Sequence, residues 1–520
     1  MSNPRMMPLG TRYNQNLPAN IARGRVNTRR YFATNSNASF SFSTTNEIRI
    51  DVSGDKNTFL NCAQSYLDFS LGVATRNLLS LDCGAHSFIQ ELRIQSQGQD
   101  LEMISSYNLL HSILIQYTSN VSNLVETNAI SGGYRCLNMM PEFSIGSDIT
   151  NSITQHTTNT NIFNLSNNAT GQGAITFYSS GGRSNFTPHD TEGITLGTSK
   201  QFCIPLFSGF MSNNTYIPIG YSTGFTIILR LTQDVNLGLW GVDNTGTYTI
   251  SNISFNVPVI TIDDPEFQTN FNGMLEQQGS VSWVGQTYRN YVSTLSGTGG
   301  DQQIILNDRS QSLNAVLCCL RSNAVAVSAF DRASLSCRTI VGVNTWQLRI
   351  GDQMYPQTAI TIKANAVAGG LVAGGRADVQ GRGTGAQQTF LNVSRAMCEV
   401  MKSFRSLHST LSTGIISIDS YSSDEGLTCN TVGLPTGTTT VAPSTLSHYG
   451  AGLLGVDLTT YSSDPESVSG INTAQNNLNV TLLFNMQAQV GASYQVDSFA
   501  VCDAVYTLNY RNGGNFESFY

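Results

Sequence analysis

Runs of alternating apolar and polar residues, each short and each closed by a turn-forming cluster, make up most of the chain. Glu47–Val52 is the clearest. Ile48, Ile50 and Val52 interleave with Glu47, Arg49 and Asp51, the period of two that puts one face of a β-strand against a core. β-Branched and aromatic runs at Ser65–Val73, Ser87–Gln95, Phe225–Leu231 and Ser251–Ile262 predict further strands. So do Val281–Val292, Gln303–Leu306, Leu313–Leu320, Trp346–Ile350, Asn479–Phe484 and Phe499–Tyr510. Gly, Asn, Asp and Ser gather between these runs, and the pattern predicts an all-β chain of sandwiches or barrels.

Helical spacing stands out at two places, each downstream of the same tripeptide. Leu92-Arg93-Ile94 precedes a predicted helix over Ser105–Thr118, whose Leu109, Leu110, Ile113, Leu114 and Tyr117 share one face. Leu348-Arg349-Ile350 precedes another over Asn392–Ser406, with Ala396, Met397, Val400, Met401 and Phe404 as its stripe. Ile94 and Ile350 lie 256 positions apart in a chain of 520, so the sequence reads as a duplicated unit. The copies should be eight-stranded antiparallel sandwiches with the two tripeptides on equivalent strands. Leu92 and Ile94 should then face opposite to Arg93. The turn Asp263-Asp264-Pro265 marks the expected boundary. The expected division is an extended basic arm over 1–35, a first barrel over 36–265, a second over 266–512 and a tail over 513–520. Each barrel carries one very long polar connection, 119–199 and 407–475, too long for a simple loop and read as protruding insertions.

Composition sharpens this picture. Only 12% of residues are charged, about half the usual share, although the apolar fraction is ordinary. A surface so poor in charge suggests that much of it faces neighbours. The net charge of -7 excludes a globally basic nucleic-acid binder, yet Arg5, Arg12, Arg23, Arg25, Arg29 and Arg30 all precede the first acid, Glu47. That arm is a candidate assembly element, through Arg forks and backbone pairing with neighbouring subunits or through non-specific contact with nucleic acid. Lys occurs only at 56, 200, 363 and 402. No apolar run approaches the roughly 18 residues of a membrane span, and the N-terminus lacks the apolar core of a secretory signal, which points to synthesis in the cytosol. The ten cysteines are scattered without a C-x-x-C pair and read as buried free thiols.

Catalytic patterns are weak. Gly220-Tyr221-Ser222-Thr223-Gly224 matches G-x-S-x-G, but the next residues continue as a strand where a nucleophile elbow needs a helix, so the motif reads as a turn. Gly381-Arg382-Gly383-Thr384-Gly385 lacks the Lys-Ser/Thr of a phosphate loop and reads as a loop. His86, His111, His156, His189, His408 and His448 show no ligand spacing, and His86 and His111 read as packing residues beside core elements. Acid pairs such as Asp263/Asp264 and Asp424/Glu425 flank turns and cap backbone groups. No catalytic, cofactor or metal site is expected, and none of this indicates an enzyme. A β-rich adhesin or carbohydrate-binding protein shares the Asn/Ser/Thr/Gly composition and is the alternative. A glycoside hydrolase would need paired carboxylates in an aromatic cleft, whereas Trp240, Trp283 and Trp346 are not clustered in the sequence.

Over most of residues 36–512 the chain resembles the double jelly-roll major capsid proteins of the adenovirus lineage, especially those of Polinton-like viruses, virophages and related eukaryotic DNA viruses. In the first half the resemblance lies in Asn57-Thr58-Phe59-Leu60, Gln64–Phe69, His86-Ser87-Phe88-Ile89, Leu92–Ile94 and Ser106-Tyr107-Asn108-Leu109. In the second it lies in Trp346–Ile350, Gly351–Gln357 and the helix around Arg395–Phe404, while the Gly/Ala-rich Ala364–Gln388 departs from it. It implies two tandem eight-stranded antiparallel jelly-roll barrels with short helices and long inter-strand insertions. It also implies a homotrimer of nearly hexagonal outline that tiles an icosahedral shell around a viral genome, in contact with neighbouring capsomers and with minor capsid or penton proteins.

Overall fold

The computed structural model describes residues 24–520 apart from 35–38, 74–77, 82–84, 119–193, 196–198, 213–214, 233–238, 241–247, 297, 323–334, 336, 339, 341, 363, 367–388, 392–393, 405–420, 422–449, 461–467, 476–477 and 487–492. In the first half, the barrel strands are β1 (Gly24–Phe32), β2 (Glu47–Val52), β3 (Tyr66–Val73), β4 (Ile89–Ser96), β5 (Gln99–Ser105), β6 (Ser199–Pro205), β7 (Phe225–Leu231) and β8 (Tyr248–Ile262). The second half supplies β9 (Ser280–Ser296), β10 (Gly300–Leu306), β11 (Leu313–Ser322), β12 (Val343–Ile350), β13 (Gln353–Thr361), β14 (Leu454–Asp457), β15 (Val480–Met486) and β16 (Ser493–Asn509).

These strands form two pairs of facing sheets with the same topology. One sheet of the first barrel runs β1-β8-β3-β6, and the other runs β2-β7-β4-β5. Adding eight to each strand number reproduces the second barrel: β9-β16-β11-β14 and β10-β15-β12-β13. Every ladder among these sixteen strands is antiparallel and stays within one half. The crossing between sheets after every strand or hairpin is the double Greek key of a jelly roll.

The tripeptides occupy matching places. Leu92 and Ile94 pair with Leu229 and Ile227, and Leu348 and Ile350 pair with Leu482 and Val480. All four apolar side chains of the tripeptides are buried, whereas Arg93 and Arg349 are only partly covered. Each tripeptide strand turns sharply into the edge strand of its sheet. Gln97 and Gly98 supply the two positive φ values of the first turn, 49° and 81°, and Gly351 supplies one of 58° in the second.

Helix α1 (Tyr107–Thr118) lies where periodicity places it, but its residues 107–117 are buried on all sides, not along one stripe. Its polar face is bonded inward: Asn108 donates to Ser87 O at 3.2 Å and Ser112 to Asn108 O at 2.9 Å. A further helix, α2 (Pro265–Gln278), stands where the sequence suggested only a turn. The residues read as that turn are its start: Asp264 accepts from the amides of Glu266 and Phe267, Pro265 opens the helix, and Gly279 closes it at φ 78°. Phe267, Phe271, Met274 and Leu275 fall at helical spacing along α2, which the expectation of a turn passed over; Leu275 is buried, and Phe267 and Phe271 pack on Phe59 with ring centroids 6.1 and 5.3 Å away. Helix α3 (Ser394–Ser403) buries Ala396 and Val400, two members of the expected stripe.

Both chain ends depart from a simple arm and tail. Residues 24–32 of the expected arm form β1, paired along its whole length with β8. From the expected tail, Asn515–Phe519 forms β17 and pairs with Val505–Asn509 of β16. The expected insertions 119–199 and 407–475 lie largely outside the described residues, as does Gly381–Gly385, but the second range also contains the barrel strand β14, which pairs with β11, so it is not a protrusion throughout.

Candidate assembly surfaces

The two barrels meet at a seam built from one edge of each. Barrel one offers β5, and barrel two offers β9. Glu102 of β5 is fully buried and takes four donors: the amides of Gly209 (2.9 Å) and Phe210 (3.4 Å), the Ser208 hydroxyl, and the Thr287 hydroxyl of β9 (2.6 Å). Burial pushes its pKa up, and the hydrogen bonds from Ser208, Thr287, Gly209 and Phe210 oppose that shift. Beside it the Ser106 hydroxyl reaches Asn290 of β9 at 3.3 Å. Two glycines make the approach possible. A Cβ at Gly209 would lie 2.7 Å from the Gln286 carbonyl oxygen, and one at Gly285 would overlap the Gly209 carbonyl.

Aromatic packing fills the seam. Phe210 of barrel one touches Trp283, Tyr506 and Phe516, with ring centroids 5.6, 5.4 and 5.4 Å apart. Phe516 is the buried residue of β17, so the C-terminal strand is a wedge between the barrels. Elsewhere Tyr117 at the end of α1 stacks on Phe404 just past α3, with centroids 5.3 Å apart. The Arg338 guanidinium is fully buried and donates to the Gln116 side chain of α1.

The six arginines proposed for assembly divide into two groups. Arg5, Arg12 and Arg23 lie outside the described residues. Arg25, Arg29 and Arg30 sit on β1 and pair within the chain, with Asp263 (2.6 Å), Asp55 and Asp68 (3.0 Å). Arg30 also lies over the Phe32 ring, 5.4 Å from its centroid. Around these pairs β1 leaves Val26 and Phe32 exposed, at 69% and 59%.

The histidine pair is a feature that spacing could not disclose. His86 and His111 are both fully buried and stack with centroids 4.1 Å apart. His86 shares a 2.8 Å hydrogen bond with Ser112, and His111 one of 3.1 Å with Pro205 O. Burial lowers the pKa of both, that of His111 to about 4. The other four histidines lie outside the described residues. Ser222 of the G-x-S-x-G match donates to Ile219 O at 2.9 Å within a turn that leads into β7. Among the described residues, Cys62, Cys318, Cys319 and Cys502 are buried free thiols, whereas Cys203 is partly exposed and Cys398 is exposed. No group of three or more His, Cys, Asp or Glu among these residues could hold a metal ion, and no helix is long and apolar enough to cross a membrane.

These features define a class: a chain of two jelly rolls joined edge to edge along a buried seam. Solved structures of the same fold exist. Faustovirus major capsid protein matches with a TM-score of 0.51 at 9% identity, covering 96% of this chain and 92% of that one. VP54 of the virus PBCV-1, fitted into a cryo-EM reconstruction of the virophage Sputnik, matches with a TM-score of 0.50 at 10% identity, covering 97% of this chain and 98% of that one. No family model matches the sequence, and neither does any curated protein.

Proposed function

We propose that this chain is the major capsid protein of an icosahedral virus, with a structural and not a catalytic role. The observation that carries the reading is the duplicated jelly roll itself, shared over almost the whole of both chains with Faustovirus major capsid protein and PBCV-1 VP54. An adhesin accounts for the composition but not for two equivalent barrels joined rigidly along one seam. The units of the shell are the barrels of residues 24–262 and 280–519, and the long connections expected over 119–199 and 407–475 project from them, apart from the barrel strand β14 within the second. Three copies form a capsomer of six barrels, which meets neighbouring capsomers and minor capsid or penton proteins. With Arg25, Arg29 and Arg30 occupied inside the chain, the tie between subunits falls to residues 1–23, with Arg5, Arg12 and Arg23. Genome contact by that segment is the competing role. The protein resides in the virion after synthesis in the host cytosol.

Negative-stain electron microscopy of the expressed chain, with mass photometry, tests the central claim. Trimers of six-sided outline or closed shells are the expected result. A monodisperse monomer at micromolar concentration overturns it. Deletion of residues 1–23 should leave trimers intact and block shell formation; efficient assembly of empty shells by the truncated chain would exclude the tie.

A further inference from the structure

The connection from β16 to β17 is a clasp that ties three parts of the molecule together. The amides of Tyr510 and Arg511 donate to the carbonyl of Gly279, the residue that closes α2, at 2.9 and 3.4 Å. The Arg511 guanidinium donates to Glu276 O and Gln277 O, each at 3.0 Å, which satisfies carbonyls at the end of that helix. From barrel one, the Thr223 amide donates to Gly514 O at 3.0 Å, and a Cβ at Gly514 would lie 2.6 Å from the Tyr221 carbonyl oxygen. Asn509 holds the turn itself: its side chain accepts from the Asn512 amide at 3.3 Å and its carbonyl from the Gly514 amide at 3.1 Å. Just beyond lies Phe516, the wedge of the seam. A reactive pair sits in this clasp. Asn512 and Gly513 are both exposed. Among the described residues, the Asn512 carboxamide and the Gly513 amide form no hydrogen bond, and Gly513, at φ 78°, has open space where a side chain would stand. The sequence holds a second Asn-Gly, Asn272-Gly273. That pair lies inside α2, where the Gly273 amide is engaged by the carbonyl four residues back and the helical ψ holds it away from the Asn272 side chain.

We propose that Asn512 is a site of spontaneous modification, deamidating through Gly513, and that its conversion opens the clasp on β17. The Gly513 amide nitrogen, giving up its proton to hydroxide, attacks Cγ of Asn512. The new N–Cγ bond closes a cyclic imide as the Cγ–Nδ2 bond breaks and ammonia leaves. Water then opens the imide at either carbonyl, to aspartate or to isoaspartate, and no other co-reactant is consumed. Either product puts a carboxylate in the turn. Isoaspartate also routes the main chain through Cβ and Cγ, which adds a methylene between Asn509 and Gly514. The bonds from the Asn512 and Gly514 amides to Asn509 cannot both keep their length across the longer chain, so β17 loses the turn that sets its register with β16.

Ageing of the purified full chain in mildly alkaline buffer, followed by peptide mapping with mass spectrometry, tests the chemistry. Isoaspartate should accumulate at position 512 at least about tenfold faster than at 272 while the chain is folded, and the two rates should converge in denaturing urea, where α2 is lost. Equal rates in the folded chain, or faster conversion of Asn272, overturn the site. Hydrogen exchange of residues 515–519 in fresh and aged protein tests the consequence. Exchange there should quicken at least about tenfold as Asn512 is converted, whereas aged Asn512→Gln, whose side chain is too long to close the same ring readily, should exchange like fresh protein. Unchanged protection of residues 515–519 after full conversion overturns the opening of β17. Equal loss of protection in aged Asn512→Gln overturns the role of Asn512 in it.

Discussion

Acidification should find its weakest point at the stacked histidines of the first barrel. His111 titrates at about 4 in the folded chain because burial disfavours its charged form, against roughly 6.5 for an unfolded histidine. A group with a depressed folded pKa contributes stability that is complete above the unfolded value and is lost as pH falls from there toward the folded one. The window is therefore about pH 6.5 to 4. Near 1.4 kcal/mol per pH unit once the unfolded chain is protonated, His111 alone accounts for about 2 kcal/mol between pH 6.5 and 4.5. His86 adds in the same direction, since burial and the nearby His111 both lower its pKa. Glu102 acts oppositely: its raised pKa lets the folded state take up a proton before the unfolded one. The variant His111→Phe isolates one contribution. Phenylalanine keeps ring contacts with His86, Tyr107 and Phe207 and gives up the bond to Pro205 O. Urea unfolding of both proteins by circular dichroism at pH 7.5, 6.5, 5.5 and 4.5 should show the wild-type chain losing about 2 kcal/mol more than His111→Phe below pH 6.5. Parallel curves for the two would refute the buried, neutral assignment of His111.

Other expectations concern the barrels and their seam. Leu92→Ala and Leu348→Ala, at equivalent core positions, should each cost about 2–5 kcal/mol in urea unfolding, and Arg93→Ala, on the outer face, less than about 1 kcal/mol. Arg321→Met leaves Asp497 buried without its 2.6 Å partner and should cost about 3–5 kcal/mol. Removal of Arg25, whose pair with Asp263 is largely exposed, should change stability by less than about 1 kcal/mol in the same assay. Phe516→Ala should cost about 3–5 kcal/mol and shift Trp fluorescence to the red, because Phe516 covers Trp283 with centroids 6.0 Å apart. An unshifted spectrum would mean that β17 does not seal the seam.

Local pattern carried much of this fold into view. β2 alternates in burial as its residues alternate in polarity, and the Leu-Arg-Ile tripeptides sit on matching strands because strand faces repeat every two residues. Helix α2 was legible in the spacing of Phe267, Phe271, Met274 and Leu275 but was read as a turn, because Asp264 and Pro265 begin a turn and a helix with equal ease. The Arg-rich segment looked like an arm because β1 has no regular apolar face; its place in a sheet comes from backbone pairing with β8, more than 200 residues away.

What the sequence determined by itself is eleven of the sixteen barrel strands and their duplication, since each depends on the neighbours a residue has along the chain; the strands it did not disclose, β1, β5, β6, β13 and β14, are all sheet edges, where one flank lacks a strand partner and the apolar alternation is weak. Tertiary structure alone decided which edges meet. The approach of Gly209 to Gly285, the four donors around Glu102, the stacking of His86 on His111 and the burial of Phe516 against Trp283 all join residues distant in sequence. No local period encodes such contacts, because they form only when two sheets and two barrels have closed and the space between them selects the side chains that fit.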